Sequence, residues 1–166
     1  MACPTWNFKE NKGVFSYNYR QNAFFVFGRR QMSDTAQKPK ITLFHCINSF
    51  RETPELFEGC DPNIVKMACS SMTRDIFLLR AFEAGADAVI VLVCKEDACR
   101  YAQGSIRAKK RVDYVKKILD DIGMDGDRLA IFNTKAGESD EIRQIIQTTL
   151  ENLDTIGLNP AVNLYN

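Results

Sequence analysis

Between residues 40 and 157 the chain alternates short apolar runs with longer segments whose apolar residues recur every three or four positions. The first kind of pattern predicts strands over residues 40–46, 63–69, 88–94 and 128–134. Ala88-Val89-Ile90-Val91-Leu92-Val93-Cys94 is the most apolar of them. A β-branched run without alternation fits a central parallel strand covered on both faces. The second kind predicts helices. Thr53-Pro54-Glu55 combines an N-cap, a proline at the first helical position and an early acid, so a short helix is expected there. Residues 74–84 read as a helix stopped by Gly85. Residues 106–122 read as another, with Val115, Ile118, Leu119 and Ile122 at helical spacing and Gly123 after it. In the last helix Ile142, Ile145, Ile146, Thr149, Leu150, Leu153 and Ile156 form one stripe between a capping Ser139 and Gly157.

Strands alternating with helices predict a doubly wound α/β domain over residues 39–157, built on a mainly parallel four-stranded sheet of the flavodoxin or Rossmann kind. Residues 158–166 then form a C-terminal tail. The first 38 residues differ: aromatic residues crowd the stretch from Trp6 to Phe27, and Phe15, Tyr17, Tyr19, Phe25 and Phe27 flank Gln21-Asn22. A β-hairpin is the simplest reading of this extension. It is too small to fold alone, so it is expected to pack on the α/β domain or on a partner, the latter as a docking arm.

Composition narrows the function. The 166 residues carry 22 Lys and Arg against 21 Asp and Glu, a net charge of +1 that argues against nucleic acid or a membrane surface as the main partner. No apolar run approaches the roughly 18–20 residues of a membrane span, and the N-terminus lacks the pattern of a secretory signal, so a cytoplasmic location is expected. Six cysteines (Cys3, Cys46, Cys60, Cys69, Cys94, Cys99) in a reducing compartment are expected to be thiols, core fillers or metal ligands.

Their placement points to chemistry. Three predicted strands end in a cysteine, at Cys46, Cys69 and Cys94, and Cys99 lies in the loop before the next helix. The carboxyl ends of neighbouring parallel strands, about 4.8 Å apart, face a common crevice where ligands bind. Thiols there come within reach of one small inorganic centre. Any one of them could equally be a buried filler. The only histidine, His45, alternates to the face opposite Cys46 and is expected to make a polar contact rather than ligate. An all-thiolate, dispersed set suits an iron–sulfur cluster better than zinc, whose usual spacings Cys94-x4-Cys99 does not match. Nucleophilic cysteine catalysis would leave His45 as its sole histidine base. Neither G-x-G-x-x-G nor a Walker A loop occurs, which disfavours a nucleotide enzyme. Arg107, Lys109, Lys110 and Arg111, with Arg100, Lys116 and Lys117 nearby, read as a solvated face or as a dock for an acidic redox partner.

Phe44-His45-Cys46-Ile47-Asn48-Ser49, Met67-Ala68-Cys69-Ser70, the run from Gly85 through Cys94-Lys95-Glu96-Asp97-Ala98-Cys99-Arg100-Tyr101, and Lys109-Lys110-Arg111-Val112 together resemble one family. It is the delta subunit of methyl-viologen-reducing hydrogenase, and the resemblance runs in order over about residues 40–155. It implies a [2Fe-2S] cluster held by Cys46, Cys69, Cys94 and Cys99, with no catalytic residues. Cys46 matches the first cysteine of the family's opening C-x2-C, Cys69 that of its C-S-G-R-like segment, and Cys94 and Cys99 the closing C-x4-C. The implied role is an electron relay, in a hetero-oligomeric and in some cases electron-bifurcating complex. Its partners there are an oxidoreductase module and a flavin-containing, heterodisulfide-reductase-like A subunit. Three departures stand out: Ser49 replaces the second cysteine of the opening pair, Cys60 is additional and could substitute for a ligand, and the aromatic extension, with Cys3, is extra. A cluster-free scaffold and a thiol–disulfide protein cycling Cys94 and Cys99 are the alternatives.

Overall fold

The computed structural model describes residues 38–51, 54–95, 98, 99, 101, 103–135 and 139–165. The hairpin expected within the first 37 residues, and Cys3 with it, lie outside these described residues. Four strands form one sheet: β1 (Lys40–Cys46), β2 (Asp61–Met67), β3 (Ala88–Cys94) and β4 (Leu129–Thr134). Their order is β2-β1-β3-β4 and every pairing is parallel. The expected doubly wound α/β architecture is therefore present. The helices are α1 (Asp75–Glu83), α2 (Gly104–Asp121) and α3 (Ser139–Ile156).

Side-chain alternation in the sheet separates two cores. On one face Phe44, Val89, Val91 and Val93 pack under Leu78, Ala81 and Phe82 of α1 and Ala108, Val112, Val115 and Leu119 of α2. On the other, Ile41, Leu43, Ile90 and Leu92 meet Leu56, Phe57 and Cys60 of the first crossover and Ile142, Ile145 and Ile146 of α3. All seven side chains of β3 are buried, as its unbroken apolar run requires.

Three expectations are corrected in detail. The first crossover holds only a 3-10 turn (Pro54–Phe57) where a short helix was expected, too few residues for a full α-helical stretch between β1 and β2. The second strand ends at Met67, so Cys69 lies beyond it as the N-cap of a 3-10 turn, Ser70–Met72. The apolar stripe of α2 starts earlier than read: Ala108 and Val112 belong to it, while Ile122 follows the helix and is 59% exposed. Gly85 and Gly157 take φ values of 86° and 77°, the left-handed helix stops expected of them.

The edge of the sheet formed by the strands' amino ends is closed by a polar knot. The Asp87 carboxylate accepts from the N–H groups of Lys40 (2.7 Å) and Asn159 (2.9 Å). Asn159 Nδ2 donates to the carbonyls of Phe82 and Ala86. Arg128, only 4% exposed, donates to the carbonyls of Met124, Asp87, Gly157, Ile156 and Leu158. Burial draws its pKa down while Asp125 and Asp87 draw it back, and every N–H direction of its fork meets a carbonyl. Truncating it strands those acceptors. Arg128→Met is expected to lower unfolding free energy by about 3 kcal/mol, read as a lower urea midpoint at unchanged slope. A change below about 0.5 kcal/mol, typical of surface substitutions, would show that the knot is not what closes this edge.

Candidate metal centre

The thiols gather at the opposite edge. Because β2, β1 and β3 are parallel neighbours, their carboxyl ends share one side, and the winding reverses between β1 and β3. That switch point is where open α/β sheets bind ligands. The chain reaches it at Cys46 and Cys94, whose sulfurs stand 3.3 Å apart, in contact but unbonded. The Cys94 and Cys99 thiols are close enough for each to shift the other electrostatically. Cys99 and Cys69 meet at α2: a Cβ placed on Gly104 would lie 2.9 Å from Cys69 Sγ and 3.2 Å from Cys99 Sγ. The structure thus brings together all four cysteines singled out in the sequence, one from each of four loops or strand ends.

Each is held by backbone. The turn after Cys46 is pinned on three sides: Ile47 N–H donates to Met67 O, Ser49 Oγ to Cys46 O (2.9 Å) and Leu92 O (3.0 Å), and Thr134 Oγ1 to Ser49 O. Ser49 is fully buried, and its hydroxyl is spent on strand carbonyls rather than presented as a ligand. Asn133 Nδ2 holds the Cys94 carbonyl at 2.9 Å. Cys69 Sγ accepts from Ser71 N–H at 3.4 Å, and Arg111 Nη1 clamps the same turn through Ser71 O (2.7 Å) and Thr73 O (2.6 Å). Arg111 is therefore not part of a solvated basic face; it is half-buried and structural, whereas Arg107, Lys109 and Lys110 are exposed. His45 is buried, with Nδ1 3.2 Å from Cys46 O and its ring edge-on to Phe50, the polar contact expected of it.

The electrostatics differ from thiol to thiol. Burial, then the hydrogen bond and charge of Cys46 and the charge of Cys99, push Cys94 up to about 12. Cys99 is less enclosed. Burial raises it, but the N–H groups of Tyr101 in the loop and of Gly104 and Ser105 at the start of α2, with the Cys94 thiol, outweigh that and leave it below the ordinary range. N–H groups aimed at one sulfur favour its anionic form, the form that binds metals.

Among the described residues no three His, Cys, Asp or Glu side chains already enclose a single metal ion. Two thiolates on one tetrahedral metal stand about 3.8 Å apart, so Cys46 and Cys94 need part by only a few tenths of an ångström. Four thiols with no histidine among them are a soft-metal or iron–sulfur donor set, and the Gly104 cradle leaves room that a side chain would fill. Cys60 is not with them. It precedes β2 at the amino end of the sheet, about 20 Å away along a seven-residue strand, and its thiol faces Phe57 O at 3.6 Å in the second core. It cannot replace a ligand.

Two signals escaped the sequence reading. Gly104 looks like an ordinary loop glycine until the thiols are seen against it, and Ser70 and Ser105, both buried, have hydroxyls without a partner among the described residues. Ala at the first position of a helix is ordinarily favourable. At Gly104 it is expected instead to destabilise the metal-free domain by about 1–3 kcal/mol in a urea titration, because the buried sulfurs must give way. An unchanged or higher midpoint would show that the sulfurs yield freely. Cys60 supplies a pH prediction. Burial, helped by Asp61 and opposed by Lys38, raises its pKa, so the folded chain keeps a proton that the unfolded chain loses above about pH 8.5. Stability is therefore full below that pH and falls as pH rises. Cys60→Ser is expected to make the fall shallower in denaturant titrations between pH 7.5 and 10, and an identical slope would contradict the assignment.

Comparison with known proteins places the chain in a family. The family described as "Methyl-viologen-reducing hydrogenase, delta subunit" matches residues 59–157, which include Cys69, Cys94 and Cys99; Cys46 precedes the match and joins the set by geometry. The vhu iron-sulfur D subunit of the F420-non-reducing hydrogenase from Methanocaldococcus jannaschii is 35% identical over 97 residues, 58% of this chain and 72% of the relative. Its counterpart from Methanococcus maripaludis is 30% identical over 96 residues, again 58% and 72% of the two chains. The A subunit of the Ferredoxin/F(420)H(2)-dependent CoB-CoM heterodisulfide reductase from Methanosarcina acetivorans is 34% identical over 94 residues, 57% of this chain but only 12% of that much longer one. Matched over more than half its length by that family and 35% identical to one of its members, the chain belongs to the methyl-viologen-reducing hydrogenase delta subunit family.

Proposed function

We propose that this chain is a non-catalytic electron-transfer subunit that holds a [2Fe-2S] cluster on Cys46, Cys69, Cys94 and Cys99. On this reading it relays electrons between an oxidoreductase module and a flavin-containing, heterodisulfide-reductase-like A subunit in a cytoplasmic complex. The observation that carries the reading is the convergence of four thiols at the switch point, with the N–H groups of α2 aimed at one of them. Four thiolates are the count such a cluster needs. The cluster would supply the one-electron chemistry. The protein's part is to fix the sulfurs in turns tied by Ser49, Thr134, Asn133 and Arg111, which limits rearrangement when charge changes.

The surface around the thiols supports a relay between partners. Ile47, Met72 and Tyr101, each one to three residues from a cysteine, are 45%, 52% and 62% exposed. Ile76 and Phe77 of α1 add to them. A groove of about 340 Å³ beside them, lined by Ser71, Tyr101, Gln103, Gly104 and Arg107, leads from solvent to the glycine that touches two of the sulfurs. Apolar surface gathered around a site is what a covering protein buries. That a like stretch occurs within the A subunit of a heterodisulfide reductase supports a neighbour of that kind.

Anaerobically purified protein is expected to carry about two iron and two acid-labile sulfide per chain, with a reducible cluster signal in low-temperature EPR. Cys94→Ser should abolish most of the visible absorbance while leaving the far-UV spectrum unchanged. Iron-free, colourless protein that resists reconstitution would favour a scaffold role, and a Cys94–Cys99 disulfide formed on mild oxidation would favour thiol redox cycling.

A further inference from the structure

The point where a Gly104 Cβ would sit touches Cys69 Sγ and Cys99 Sγ, and it is also 3.2 Å from Ser70 Oγ. Ser70 is fully buried and Ser105, on the next residue of α2, is 3% exposed. Neither hydroxyl has a hydrogen-bond partner among the described residues. A buried hydroxyl left unpaired costs about 1–3 kcal/mol. Ser105 is the second residue of α2, so the bond back to a helical carbonyl four residues earlier that Thr149 makes in α3 is not open to it. Ser105 N–H is already directed at Cys99 Sγ, so the buried hydroxyl belongs to a residue whose backbone meets that sulfur. The other polar residues of this edge are occupied: Ser49, Thr134, Asn133 and Arg111 all have carbonyl partners. An orphan Ser70 hydroxyl at the place where two thiols meet, with a second orphan hydroxyl on the residue after Gly104, points to an acceptor that belongs there.

We infer that the Ser70 hydroxyl, with that of Ser105 beside it, donates hydrogen bonds to the sulfur atoms of the bound cluster and sets its reduction potential. The inference rests on the cluster reading above. Reduction places one more negative charge on the cluster, much of it on sulfur, and an O–H donor strengthens as its acceptor gains charge. The hydroxyls therefore favour the reduced form. They are positioning residues, neither ligands nor carriers of the electron.

The test uses the full chain, loaded anaerobically. Iron and sulfide are measured first on the unsubstituted protein, since a chain that takes up no iron overturns the cluster reading and this inference with it. With the parent loaded, Ser70→Ala and Ser105→Ala are expected to keep the same iron content and far-UV spectrum. Their reduced-to-oxidised ratio at a fixed poise should fall about threefold to tenfold, a midpoint lower by up to about 59 mV for one electron. The shift of the iron–sulfur stretching bands on transfer to ²H₂O, read by resonance Raman, should shrink. Ser70→Thr and Ser105→Thr, which keep the hydroxyl, should restore both readouts toward the parent. Loaded alanine variants with parental potential and parental isotope shift would overturn the proposal. Should neither Ser70 variant take up iron, Ser105→Ala, at a helical position where alanine is favoured, decides it alone.

Discussion

Everything at the candidate centre depends on strands that run the same way. In an antiparallel sheet neighbouring chain ends alternate between opposite edges, and cysteines at the ends of β1 and β3 would be separated by the length of a strand. Parallel pairing of β1 with both β2 and β3 places every carboxyl end on one edge and obliges the following segments to leave from it. The same constraint sends the amino end of α2 back over that edge, so a helix start, with its free N–H groups, arrives beside the thiols.

The two edges of the sheet divide the labour. One is closed by Arg128, Asp87 and Asn159, with buried charge matched by carbonyls and N–H groups. The other has its backbone pinned but keeps its sulfurs close together, with the unpaired Ser70 hydroxyl beside two of them. Between them lie two apolar cores on the two faces of the sheet, independent of either edge. A domain arranged in this way can present reactive side chains at one end without drawing on the interactions that hold it folded.

How much of this was legible in the sequence follows from what kind of signal each part leaves. The unbroken apolar run of β3 and the stripe of α3 are local patterns: β3 stands as read, to the residue, and α3 keeps its stripe and its end, with Ser139 inside the helix rather than capping it. The four clustered cysteines were legible because strand ends in a parallel sheet have only one place to go. The end of β2 was misplaced because Ala68-Cys69 is as apolar as a strand; what ends it is the Cys69 cap on Ser71, which leaves no trace in periodicity. Arg111 was read with its basic neighbours because charge runs say nothing of the carbonyls across the fold that one of them meets. Gly104, Ser70 and Ser105 were invisible for the same reason: each matters through contacts between segments some 30 residues apart in the chain. The place of Cys60 needed only the register of β1 with β2.

The knot at the amino edge has a consequence for biogenesis. Zinc fingers and many small metalloproteins fold only when the metal arrives, because nothing else organises them. Here Arg128 and Asn159 tie the segment after α3 to the strands' starts, and both cores are complete, before any sulfur is engaged. On the proposed reading, iron would reach a scaffold already held by its own cores and knot, and a shortage of iron would leave empty chains folded rather than unfolded.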